Sequence, residues 1–305
     1  MQLDNIKEIH IEPTSLCNAE CPQCARNIHG SGLNPNIQLN SLTINYFTNF
    51  FNSNNIKNIN KVFFCGNVGD PCATPDLLDI CRYLKSIKPD IVLGINTNGS
   101  LKTEDWFQQL GEIFQGPHDY VVFSIDGLED TNHIYRRNTH WTKLMRNAQS
   151  YISTGASAHW DMLVFDHNKH QVESAQQLAR EMGFTWFRSK ITDRWDSYPA
   201  TDDLKPLEPY IAKDYDNVNI VCEKNRDKSI FIDYRGEIWP CCHMAESYLS
   251  EISKNKHADI KQYSNKELMS KYQGKLITNP FYVCRRSCGV DTGKKSQWKQ
   301  EIQLQ

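Results

Sequence analysis

Apolar and polar residues alternate along the first two thirds of the chain so as to predict strands and helices in turn. Ile6-Lys7-Glu8-Ile9-His10-Ile11 mixes the two classes as a half-buried strand does. Leu42 to Phe51 reads as a helix and Lys61 to Cys65 as a strand ended by Gly66. Asp76 to Ile87 reads as a helix after Pro75, with Thr74 at its N-cap. Ile91 to Asn96 is a strand closed by Asn98-Gly99, and Thr103 to Leu110 is helical. Tyr120 to Ile125 is a nearly continuous apolar run, as a parallel sheet covered on both faces requires. A helix over His140 to Ile152, a strand over His159 to Phe165, a helix over His170 to Met182 and a strand over Thr185 to Ser189 complete the pattern. Six such βα-like units predict an α/β fold with a parallel sheet, open or curled into a barrel.

The texture changes after Trp195. Asp202 to Asn217 is polar and reads as a linker and helix. Ser229 to Trp239 reads as a hairpin turning at Arg235-Gly236, Asn265 to Tyr272 as a short amphipathic helix, and the charged tail from Gly293 as frayed. The expected division is 1–195 and 196–305. No internal repeat or low-complexity segment is visible.

Composition narrows the function. The 305 residues, 39% hydrophobic, suffice for one large domain and a smaller one. A formal net charge of -2 gives no electrostatic case for nucleic acid. No apolar run approaches the ~18 residues of a membrane span, and the N-terminus lacks the pattern of a signal peptide. Eleven cysteines, an odd number clustered toward both ends, argue for metal ligation rather than disulfides. The expected compartment is a reducing cytoplasm poor in oxygen.

Cys17, Cys21 and Cys24 stand in the pattern C-x3-C-x2-C. A structural zinc site takes four N/S ligands and a saturated [4Fe-4S] cube takes four thiolates. Three thiolates on one loop can hold three irons and leave the fourth open; the competing reading is a zinc knuckle completed by a residue such as His29. The arrangement resembles that of the radical SAM superfamily, whose open iron is chelated by S-adenosylmethionine (SAM). The resemblance implies a partial (β/α)6 barrel. Gln23 departs from it, since the residue before the third cysteine is usually aromatic there. Gly66, Asn67, Gly69, Asp70 and Pro71 are similar to the segment that binds the SAM amino group, although Val68 stands where a glycine is expected and Asp70 replaces Glu. Ser124 and Asp126 after the fourth strand are candidates for the ribose hydroxyls, with a turn-capping role for Asp126 weighed equally. Thr97-Asn98-Gly99 is a weaker likeness. For Val164 and Asn168, core packing and a loop role are favoured.

The second cysteine set is Cys222, Cys241 in the pattern Gly236-x4-Cys, Cys284 and Cys288. It resembles the SPASM extension, more closely its shortened twitch form, and so implies a fully ligated auxiliary [4Fe-4S] cluster in a small α+β unit. Cys242 is the alternative to Cys241, and a four-cysteine zinc site the alternative to the cluster. Cys65, Cys72 and Cys81 read as non-ligating. Arg136 and Arg137 read as a solvated loop rather than an anion site. Arg188, expected at the end of the sixth strand, is a candidate for a carboxylate.

The resemblance implies reductive cleavage of SAM to a 5′-deoxyadenosyl radical that removes hydrogen from a substrate. A flavodoxin or ferredoxin would donate electrons, and the auxiliary cluster would accept one. A strand starting near Ile6 leaves no N-terminal leader-binding domain, which favours oxidation of a small polar metabolite of sugar or aminocyclitol type. The alternatives are a maturase that crosslinks or epimerises a ribosomally made peptide, and a non-catalytic zinc or iron–sulfur scaffold.

Overall fold

The structure, a computed structural model, describes residues 5–28, 30–192, 194–196, 198, 200–209, 215, 218–249, 260, 262–272, 280–289 and 300–305. The chain runs through β1 (Glu8–Ile11), a small hairpin of β2 (Asn27–Ile28) and β3 (Ser31–Leu33), and α1 (Ile44–Phe50). It then alternates through β4 (Lys61–Phe64), α2 (Leu77–Ile87), β5 (Val92–Thr97), α3 (Glu104–Ile113), β6 (Tyr120–Ser124), α4 (Asn132–Tyr135), α5 (Trp141–Ile152), β7 (Ala158–Val164), α6 (Val172–Met182) and β8 (Trp186–Ile191). There follow α7 (Glu223–Arg226), β9 (Ser229–Ile232), β10 (Ile238–Trp239), α8 (Cys242–Leu249), the helices Asn265–Tyr272 and Tyr282–Cys288, and β11 (Gln300–Gln303).

Strands β1, β4, β5, β6, β7 and β8 pair in parallel with their neighbours in that order, which gives the partial (β/α)6 barrel. The hairpin extends the same sheet: β9 lies parallel to β1, with Glu8 opposite Ser229, and β10 returns antiparallel. At the other edge β11 pairs antiparallel with β8, so the described end of the tail is a strand rather than frayed. The polar stretch from Asp202 shows no helix up to residue 209; residues 210–214, 216 and 217 lie outside the described residues.

Side chains alternate across the sheet as strand geometry dictates. Ile9, Val62, Leu93, Val121, Phe123, Trp160 and Phe187 pack into the main core with Leu84 of α2, and with Phe107, Leu144 and Tyr151. In β7 the buried positions are Ala158, Trp160, Met162 and Val164, and His159, Asp161 and Leu163 face the other way. Thr74 does not cap α2. It ends a single turn over Pro71–Ala73, and Asp76 occupies the N-cap position, its carboxylate accepting from the Ile44 N–H at 3.0 Å.

Candidate functional site

The three-cysteine loop leaves the C-terminal end of β1, where barrel enzymes gather their chemistry. Ser15 pins it: its hydroxyl donates to Gln38 O at 2.8 Å and accepts from Asn40 N at 2.9 Å. Cys24 N–H donates to Cys21 O at 3.1 Å and Asn27 N–H to Cys24 O at 3.0 Å, which tightens the loop around the thiols. Donors are aimed at the sulfurs. Ala19 N–H lies 3.3 Å and Asn98 Nδ2 3.8 Å from Cys17 Sγ, and Arg136 Nη1 lies 3.8 Å from Cys21 Sγ. Burial pushes all three thiols up, Cys21 to about 11, and charge repulsion from Asp70, then from Cys24 and Cys21, adds to the rise at Cys17. Each side chain is a free thiol. Three clustered soft donors, supplied with hydrogen bonds, suit an iron–sulfur cluster that stabilises them as thiolates. Among the described residues no three His, Cys, Asp or Glu converge to hold a single metal ion, and His29 lies outside them.

The loop after β4 presses against this one. A Cβ at Gly66 would overlap the Gly69 carbonyl, and a Cβ at Gly69 the Thr14 carbonyl, so the loop folds tightly on itself at Gly66 and meets the cysteine loop at Gly69 only because both residues are glycine. Glu12 Oε1 accepts from Val68 N at 2.6 Å and Gly69 N at 3.1 Å; burial lifts its carboxyl to about 8 against those bonds. Val68 fills a small core with Ala25, Ile37 and Tyr234, which explains a side chain where glycine was expected. Asp70 precedes Pro71 and is buried. Its oxygens accept from Thr97 Oγ1 at 2.9 and 3.1 Å, from Asn98 N at 2.7 Å, from Asn98 Nδ2 at 2.8 Å and from Cys72 N at 2.9 Å. Asn98 Nδ2 also reaches Asn18 Oδ1 at 2.8 Å. The Thr97-Asn98 segment, a weak signal in the sequence, therefore ties the cysteine loop to Asp70. Asn67 Nδ2 donates to Cys242 O at 2.9 Å.

Ser124 stands half-buried at the end of β6. Asp126 is fully buried; it accepts from Arg136 Nε at 2.6 Å and Leu163 N at 2.5 Å. Arg136 is thus no solvated loop residue: its side chain is 19% exposed and bridges Asp126 to Cys21. The half-buried Arg137 accepts from Glu20 N through its carbonyl. Asn168 is buried and donates to Asp126 O and Leu163 O, and Val164 packs in the interior, as expected for both. Arg188 is not at a strand end. It sits in mid-β8, bonded through Nε to Asp161 at 2.6 Å.

The second cysteine set surrounds one cavity. The Ile220–Gly289 bridge and the bond from Val221 N to Cys288 O at 3.1 Å bring Cys222 beside the helix Tyr282–Cys288. That helix carries Cys284 and Cys288 one turn apart on one face. Cys222, Cys241, Cys284 and Cys288 line a single cavity with Lys224, His243 and Tyr272, and Cys242 is not among its lining residues. Burial raises the Cys241 thiol, and repulsion from Cys242, Cys284 and Cys288 raises it further. Cys72 and Cys81 are buried core residues. Cys65, raised to about 12 chiefly by burial, has Cys242 as its leading charged neighbour.

The sheet face turned from the helices is polar. Lys61 pairs with Glu8 at 3.3 Å, Tyr120 stacks on His159 at 5.1 Å between centroids, and Asp161 pairs with Arg188. Burial, helped by Arg188, holds His159 at about 3 instead of 6.5. The unfolded chain therefore takes up this proton first, and the stability it contributes is intact above pH 6.5 and lost as pH falls toward 3. From about pH 7 to pH 5 the loss is about 2 kcal/mol. His159→Phe keeps the ring stack, so its urea-unfolding free energy should be less acid-sensitive than wild type by that amount. Equal acid sensitivity would contradict the assignment.

The profile described as the Radical SAM superfamily matches residues 11–179, more than half of the chain, and the chain belongs to that superfamily of enzymes. Over 129 residues it is 27% identical to the "Tungsten-containing aldehyde ferredoxin oxidoreductase cofactor-modifying protein" of Pyrococcus furiosus, covering 42% of this chain and 33% of that protein. The chain thus matches about a third of that relative's length. Among solved structures it is similar to Streptococcus suis SuiB bound to S-adenosylmethionine (TM-score 0.56, 14% identity, 78% of this chain and 61% of that one). It is also similar to native anSMEcpe with bound AdoMet (TM-score 0.56, 14% identity, 95% and 92% coverage). These likenesses establish the fold.

Proposed function

We propose that the protein is a radical SAM oxidoreductase of twitch type that oxidises a small polar metabolite, with 1–195 as the radical SAM core and 196–305 as the auxiliary-cluster unit. The observation that carries this reading is the second thiol cavity, lined by four cysteines and joined to the barrel mouth through Asn67 and Cys242. Four thiolates saturate a cube, which leaves it suited to electron transfer.

Cys17, Cys21 and Cys24 would hold the SAM-binding cluster, and Cys222, Cys241, Cys284 and Cys288 the auxiliary one. When bound, the first cluster and SAM supply the 5′-deoxyadenosyl radical that abstracts hydrogen. The carboxylates of Asp70 and Asp126 are committed to protein donors, so we assign them positioning roles in the cofactor site. We assign contact with SAM to the loop of Gly66, Asn67, Gly69 and Pro71 and to the Ser124 hydroxyl. Arg136 and Asn98 offset negative charge on the cysteine sulfurs. The curated relative's name, a cofactor-modifying protein, is in keeping with a small-molecule substrate. A reduced flavodoxin or ferredoxin in an oxygen-poor cytoplasm would supply the electrons.

The test is substrate-dependent release of 5′-deoxyadenosine by the reconstituted enzyme with SAM and dithionite. A panel of sugars and aminocyclitols, and the small-molecule fraction of the native extract, should raise release above the background rate. Stimulation by the peptide fraction alone would replace this reading with peptide modification.

A further inference from the structure

Asn67 touches both cysteine sets. Its main-chain oxygen lies 3.9 Å from Cys24 Sγ, and its side-chain Nδ2 donates to Cys242 O at 2.9 Å. Cys242 follows Cys241, which lines the second cavity, and is the first residue of α8. One half-buried residue thus joins a thiol of the first set to the chain beside a thiol of the second, 175 positions along the sequence.

The contact has support on either side. Val68, the next residue, packs in a small core with Ala25, Ile37 and Tyr234 from the β9–β10 turn. Tyr234 O accepts from Asn40 Nδ2 at 2.7 Å, and the Asn40 N–H is the donor that holds the Ser15 hydroxyl. Tyr234 and Cys242 flank β10. The C-terminal hairpin therefore holds the loop after β4 at two successive residues and, through Asn40, the cysteine loop as well. The barrel's own hold on the middle of that loop is Glu12, which accepts from Val68 N and Gly69 N.

Each end of the Asn67–Cys242 bond answers to a ligand. Filling the second cavity fastens Cys241, and with it the Cys242 carbonyl. Binding of SAM fastens the loop that carries Asn67. Either event fixes one partner of the bond and so lowers the ordering cost of the other.

We propose that Asn67 couples the two sites, so that a filled second cavity raises the affinity of the first site for SAM and bound SAM in turn steadies α8. The coupling rests on SAM binding at the three-cysteine loop and on a cluster in the second cavity. Linkage makes it reciprocal.

The test measures SAM affinity by anaerobic calorimetry in reconstituted wild type, in Cys288→Ala, which empties the second cavity, in Asn67→Ala and in the double variant, each first shown folded by circular dichroism. Asn67 lies in the loop assigned to SAM, so its substitution also acts directly; the ratio of affinities between filled and emptied cavity removes that part. The ratio should be about fivefold with Asn67 present, the size of one hydrogen bond, and about one with Asn67→Ala. A second readout needs no cysteine substitution. Adding SAM to wild type should slow amide hydrogen exchange in α8 about fivefold, and should leave it unchanged in Asn67→Ala. Equal SAM affinity of wild type and Cys288→Ala, a ratio that survives Asn67→Ala, or α8 exchange indifferent to SAM would each overturn the coupling. A wild type that takes no iron into the second cavity, or that binds no SAM, would instead remove the reading on which the coupling rests.

Discussion

A Cys21→Ala variant, reconstituted without oxygen and reduced with dithionite, should release 5′-deoxyadenosine at least about 100-fold more slowly than wild type; even loss of a ligand's hydrogen-bonding partner commonly costs 10–100-fold. Cys21 is the most buried of the three loop thiols and the one facing the Arg136 guanidinium. Removing it deprives the cube of one anchor in three and leaves Arg136 and Asp126 as a buried pair beside a void. The variant should lose its iron from this loop alone, because the second cysteine set lies in a separate cavity. Equal nucleoside release from both proteins would contradict the assignment of the loop.

The Cys288→Ala variant separates the two sites. It should still cleave SAM, since none of Cys17, Cys21, Cys24 or the Gly66–Pro71 loop touches its cavity. It should form no oxidised product, because the electron left by hydrogen abstraction has lost its acceptor. Metal loss can unfold a small unit, so circular dichroism must first show the variant folded. A folded variant without the second cluster that turned over substrate at the wild-type rate would make that cluster structural.

The strand and helix pattern was legible because each strand is a short apolar or alternating run and each helix carries a stripe, as in β7 and α2. The cysteine loop was legible because its ligands lie within eight consecutive residues. What sequence missed depends on contacts across the sheet. Arg136 looks solvated in sequence, and it is buried because Asp126, ten residues earlier, pairs with it while Leu163, on β7, donates to the same carboxylate. Asn98 sits in a common turn dipeptide, and only the parallel pairing of β4 with β5 sets it against Asp70. Arg188 changed place because β8 runs two residues longer than its apolar run suggests, so that Asp161 meets it in register. The parallel docking of β9 on β1 carries no local signal at all. Gln23, a departure in the sequence, is buried and held by Thr192 and Arg194 from the segment after β8, far along the chain.

The central claim is two cubes of different ligation in one chain, one of them open to SAM. Mössbauer spectroscopy of the ⁵⁷Fe-reconstituted wild type, with and without SAM, tests it most directly. About eight irons per chain are expected, with a single iron site perturbed when SAM is added and the other cluster unchanged. About four irons with zinc in the second cavity, or a spectrum indifferent to SAM, would contradict it.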